Sequence, residues 1–150
     1  MGNVTTAGSY SHAFTAGDLS CATTAGHCAS AATAGSYSHA LTAGDFSCAT
    51  TAGNFSNAFT AGDDAHATTA GHLAHALTAG ARAKTSATGE NSIAAAFGAN
   101  SAARAADGGF IVLAQYDGDT VVAVKTAQVA ETESSRIRGT NSVLRASLSK

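Results

Sequence analysis

Between residues 6 and 105 the chain alternates small and variable residues in short runs that restart every nine positions. Ser11, Ala13 and Thr15 share one phase of such a run and Ser20, Ala22 and Thr24 the next; the series persists through Ser92, Ala94 and Ala96 to Ser101 and Ala103. A period of two predicts strands, because successive side chains of a strand point to opposite faces, and the small phase is the one that faces inward. Each run ends in glycine: Gly8, Gly17, Gly26, Gly35, Gly44, Gly53, Gly62, Gly71 and Gly80, each preceded by Thr-Ala, then Gly89 and Gly98. Glycine permits a sharp bend of the backbone, and the neighbouring alanine keeps the corner small. A helix is excluded, since a glycine every nine residues would cost about 1 kcal/mol each and the small residues follow no 3.6-residue stripe.

Strand and corner repeated in this way predict an all-β fold, a parallel β-solenoid (β-roll) of nonapeptide repeats. Two coil sizes fit the repeat. Residues 6–32 and 33–59 match at 20 of 27 positions, which supports a triangular coil of three nonapeptides. Serine, alanine and threonine fill only a narrow gap, which favours a flattened coil of 18 residues with two nonapeptides per turn. Arg82, Lys84 and Arg104 fall in the opposite phase and are expected to face outward. Five to six such coils would stack to about 25–30 Å at a strand spacing of ~4.8 Å.

The pattern changes near Asp107. "GGFIVLAQYDGDTVVAVKTAQV" holds two β-rich runs, Phe110–Tyr116 and Thr120–Val129, around an Asp-Gly pair, and predicts a hairpin. The end of a solenoid exposes unpaired strand edges, so this C-terminal hairpin is the expected cap. The chain thus divides into a solenoid, 1–107, and a cap and tail, 108–150, the tail carrying Arg136, Arg138, Arg145 and Lys150.

Charge and composition remove several partners. A formal net charge of −2 leaves no basic face for nucleic acid. No stretch reaches the ~18 apolar residues of a membrane span, and the first residues show neither a charged nor an apolar signal region, so neither a membrane nor export is expected. Cys21, Cys28 and Cys48 are odd in number and read as free thiols in a reducing compartment.

One outward position runs His12, Cys21, Ser30, His39, Cys48, Asn57, His66, His75, Lys84. In an 18-residue coil Cys21 lies beside His39 and Cys48 beside His66. Side chains in a flat column run parallel and do not converge on a tetrahedron, so no metal is expected. Asp18, Asp45 and Asp63 follow glycine as in nine-residue calcium rolls, but paired glycines and a second acidic ligand are missing. No cofactor is expected. A nucleophilic site needs nonequivalent residues converging in a pocket, whereas these recur along a regular surface, and the chain is read as non-enzymatic. The threonine ladder from Thr6 to Thr78 would suit ice binding only on an exposed face, and it is placed inward or at the corner.

Sorting by an 18-residue coil puts Leu19, Tyr37, Phe55 and Leu73 in one column with Leu41, Phe59, Leu77 and Ala95 beside it. The opposite side carries Tyr10, Cys28, Phe46, Asp64 and Arg82, flanked by Phe14, Ala32, Thr50, Thr68 and Ser86. One side stays apolar while the other turns polar. A stripe of that size predicts burial by another chain, first of all a second copy, with Leu19, Tyr37, Leu41, Phe55, Phe59, Leu73 and Leu77 as the interface. The alternative is that these residues pack along neighbouring coils and stay half exposed.

"GENSIAAAFGANSAARA", residues 89–105, resembles the head repeats of trimeric autotransporter adhesins at Gly89, Asn91, Ser92, Ala94, Gly98, Asn100, Ser101 and Ala103. The whole layout, small-residue nonapeptides leading into "GANSAARAADGGFIVLAQYDGD", is similar to small repeat proteins encoded by phages and prophages. That resemblance implies a phage or prophage context, in the host cytoplasm or the virion; joined to the apolar stripe it gives the expectation of a non-enzymatic accessory protein that binds a protein, as a virion component or an inhibitor of a host complex. The alternative is a surface-array protein, adhesin-head-like or ice-binding.

Overall fold

A computed structural model describes residues 2–106, 108–117, 120–129 and 136–138. The nine-residue rhythm becomes a strand and a corner each time: β1 Asn3–Ala7, β2 His12–Ala16, β3 Cys21–Ala25, β4 Ser30–Ala34, β5 His39–Ala43, β6 Cys48–Ala52, β7 Asn57–Ala61, β8 His66–Ala70, β9 His75–Ala79, β10 Lys84–Ala87, β11 Ile93–Phe97 and β12 Ala102–Ala105. Odd-numbered strands form one sheet and even-numbered strands the other. Within each sheet neighbours are parallel and 18 residues apart, as in Cys21 opposite His39 and Ser30 opposite Cys48. The molecule is a two-sided β-solenoid with two nonapeptides per coil, and the 27-residue coil does not form.

Side-chain volume explains the choice. Ala22, Ala31, Ala40, Ala49 and Ala58 are wholly buried between the sheets, flanked by buried Ser20, Ser38 and Thr24. Such side chains span the gap between two facing sheets but leave a three-sided interior with voids, and voids forfeit dispersion contacts. Arg82, Lys84 and Arg104 lie on the outside as the phase predicts.

The corners are built by hydrogen bonds that reach one coil along. Gly26 N–H donates to the Ala43 carbonyl at 2.8 Å. The inward serine bridges adjacent coils: Ser38 Oγ accepts the Ser20 N–H at 3.0 Å and donates to the Gly17 carbonyl at 3.2 Å. Ser56 repeats this with the Ser38 N–H and the Gly35 carbonyl. Each such serine satisfies one buried donor and one buried acceptor that its own strand cannot reach.

The cap forms as expected. β13, Phe110–Asp117, continues the odd sheet in parallel with β11, and β14, Thr120–Gln128, returns antiparallel to β13. The expected strands ended at Tyr116 and Val129; the observed ones end at Asp117 and Gln128. Gly118 and Asp119 of the turn lie outside the described residues, as do Arg145 and Lys150. Ile111, Leu113 and Val129 close the core with the first large side chains that are fully buried. β15, Arg136–Arg138, pairs antiparallel with β12 and so lies along the last strand of the even sheet.

Candidate functional site

Corner geometry decides where the large outward residues stand. The second residue after each corner glycine adopts a left-handed backbone conformation, with φ of 57° at Leu19, 56° at Tyr37, 57° at Phe55 and 54° at Leu73. This column therefore sits on the corner leading into the odd sheet, and not on the flat of the sheet. Leu41, Phe59 and Leu77 stand on the sheet itself, in register with one another across β5, β7 and β9. Tyr37 and Phe55 stack face to face, with ring centroids 5.0 Å apart and planes 4° from parallel. The His72 and Phe55 rings lie nearly perpendicular, with centroids 6.4 Å apart.

The seven predicted interface residues thus fall on one side of the solenoid in two adjoining columns. Leu19, Tyr37, Leu41 and Phe55 are exposed, at 37–54%, whereas Phe59, Leu73 and Leu77 are half-buried by their neighbours along the coil axis. The opposite side is less one-sided than the sequence suggests. Tyr10, Phe14 and Phe46 are exposed there to 70%, 64% and 58%. They give way toward the cap to the Arg82–Asp64 ion pair, in which Arg82 Nη2 donates to Asp64 Oδ2 at 2.7 Å. The Arg82 hydrogen bonds hold the Asp64 carboxyl below its ordinary pKa.

Beside that pair a shallow groove of about 260 Å³ crosses the even sheet, lined by His66, Thr68, Lys84, Ser86 and Arg104. Burial, and secondarily the Lys84 charge, push the His66 pKa below its ordinary value.

The cysteine–histidine neighbours engage other partners. Cys21 Sγ lies 3.6 Å from Thr23 Oγ1, and Cys48 Sγ 3.6 Å from Thr50 Oγ1. His39 Nδ1 faces the Asn57 amide at 3.2 Å. Among the described residues, no three His, Cys, Asp or Glu side chains gather where they could hold one metal ion. The aspartates after glycine have a structural task that spacing within one repeat does not reveal. Asp18 Oδ1 accepts the Ser36 N–H at 2.8 Å, and Asp45 Oδ1 and Asp63 Oδ1 accept the N–H groups of Asp63 and Ala81, each one coil on. Excess EDTA should accordingly leave the β circular-dichroism signal and the melting temperature unchanged. A loss of stability on chelation, restored by calcium or zinc, would contradict this assignment.

The threonine ladder faces inward. Thr24, Thr51 and Thr69 are buried, and the hydroxyls from Thr6 to Thr69 have no protein hydrogen-bond partner. Further along, Thr78 meets Thr85 across the core at 2.8 Å. A ladder so placed presents no hydroxyl array to an ice surface.

The left-handed corner was not anticipated, although the sequence carried a signal for it. Asn91 and Asn100 occupy the same repeat position, with φ of 53° and 58°, and asparagine tolerates that conformation best after glycine. No family model, curated protein or solved structure matches the chain.

Proposed function

We propose that the chain is a non-enzymatic binding scaffold, a self-associating β-solenoid that acts by holding a protein against its apolar side, as a phage or prophage accessory protein. One observation carries this reading. Leu19, Tyr37, Phe55 and Leu73 all hold a left-handed backbone conformation that disfavours bulky side chains, where the last coils use Asn91 and Asn100. Local conformation favours asparagine or glycine at every such corner. Large apolar side chains kept there at a conformational cost, with Leu19, Tyr37 and Phe55 exposed and Leu73 half-buried, supply a continuous surface with Leu41, Phe59 and Leu77. The phage context rests on the resemblance of the repeat layout; within it the scaffold serves as a virion component or as an inhibitor that occupies a host complex.

The test substitutes residues the corner accepts. Asp64 already occupies this position in another repeat with φ of 54°, so Tyr37→Asp with Phe55→Asp should keep the fold while placing charge in the stripe. Light scattering at micromolar concentration should show an oligomeric wild-type chain and a smaller species for the double variant, with an unchanged β circular-dichroism spectrum. A monomeric wild-type chain, or a double variant of unaltered mass, would refute the lateral contact.

A further inference from the structure

The two ends of the solenoid are unlike. At the C-terminal end β13 and β14 extend the odd sheet and β15 pairs with β12. At the other end β1 and β2 are the outermost strands of their sheets, and among the described residues no strand pairs with their outer edges.

The ladder shows which backbone groups those edges present. Cys21 N–H donates back to the Gly2 carbonyl at 3.0 Å and Ser30 N–H to the Ser11 carbonyl at 2.9 Å. Residues of the outward-facing phase thus aim their N–H and C=O groups at the preceding coil. One coil earlier the same groups belong to Asn3, Thr5 and Ala7 in β1 and to His12, Phe14 and Ala16 in β2, and they point out of the end. Open edges are ordinarily blunted by charge, proline or a bulge. Residues 2–17 contain no Asp, Glu, Lys, Arg or Pro, and β1 and β2 pair without interruption with β3 and β4. The core is open there too: Val4 stands opposite Ala22 in the inward column and is 37% exposed, whereas Ala22 is at 0%.

We propose that this end docks a second copy of the same chain, joined end to end through antiparallel pairing of β1 with the second copy's β2 and of β2 with its β1. An occupant must satisfy two edges held apart by the thickness of the solenoid, and a single added strand leaves one of them open. The same end of another copy presents two edges of matching length and separation. A two-fold axis perpendicular to the solenoid and along its strands exchanges the two sheets, whose strands run in opposite directions, which makes the pairing antiparallel and the contact self-complementary. Edges without formal charge meet one another with no like-charge repulsion, and Val4 is covered from the far side. The contact is separate from the lateral stripe.

The full-length chain carrying Tyr37→Asp and Phe55→Asp isolates it. Light scattering should give twice the monomer mass, and small-angle scattering a maximum dimension about double that of the monomer. Adding Thr5→Pro and Phe14→Pro removes two outward N–H groups and no internal bond, and should return a monomer with the β spectrum intact. Should the proline chain lose that spectrum, Thr5→Lys with Phe14→Lys replaces it, with the same monomer expected. A Tyr37→Asp/Phe55→Asp chain that is already monomeric, or an elongated dimer that survives the edge substitutions, overturns the proposal. Failure of the lateral contact alone looks different: the wild-type chain already shows the doubled length, and Tyr37→Asp with Phe55→Asp leaves its mass unchanged.

Discussion

Gly44→Ala should destabilise the solenoid by about 4 kcal/mol or more, the range reached only when a substitution forces backbone apart or leaves the core damaged. Two effects coincide at this corner. Gly44 has φ of +140°, which side chains with a Cβ rarely adopt, and a Cβ there would overlap the Gly26 carbonyl oxygen and lie 2.6 Å from its carbon. Backbone is in the way, so no rotamer change relieves the overlap, and the coils must separate. Gly17→Ala is the control. Its φ is +116°, but the nearest atom to an added Cβ is Ser20 Oγ at 3.8 Å, because no coil lies behind it among the described residues. Strain alone should cost about 1–2 kcal/mol there. Urea titration followed by circular dichroism separates the two; equal losses would mean that the coils are not stacked through their corner glycines.

Truncation after Asp107 should make the chain form aggregates or end-to-end fibres. The deletion uncovers the outer edge of β11 through loss of β13 and that of β12 through loss of β15, and it removes Ile111, Leu113 and Val129 from the end of the core. Burial of large aliphatic side chains is worth about 1.5–3 kcal/mol each, and the small-residue coils have nothing of that size to replace them. Both ends of the truncated chain would then offer open strand edges, the condition for open-ended growth. Sedimentation and electron microscopy check the outcome. A truncated chain that stays soluble, equally stable and of unchanged oligomeric state would show that the hairpin is not a cap.

The strands, their inward phase and the two-sided coil were legible because each rests on a short-range rule: alternation, glycine at the bend, and side-chain volume against gap width. The match of residues 6–32 with 33–59 pointed to a different coil because shared outward residues say nothing about which strand lies above which; Ser, Ala and Thr in the core do. What escaped the sequence depends on neighbours 18 residues away. Asp18 looks like a stray acidic ligand until Ser36 N–H is found above it. Ser38 looks like filler until its hydroxyl is seen between the Ser20 N–H and the Gly17 carbonyl. The corner placement of Tyr37 and Phe55 was hidden for another reason: an aromatic side chain is the wrong indicator of a left-handed residue, which Asp64, Asn91 and Asn100 advertise instead.

The constant 18-residue offset between paired strands from β1 to β12 also governs how the chain gains its order. Closing a loop costs entropy that grows with the logarithm of its length, and here every step closes a loop of one size. Assembly is then a zipper in which each new coil settles on the finished one beneath it, at nearly the same increment of free energy. Among the described residues, Ile111, Leu113 and Val129 mark the region with enough apolar volume to begin without such a template. Order should spread from there toward β1, the cap acting as a seed, and the coil farthest from it should be the last to form and the first to fray.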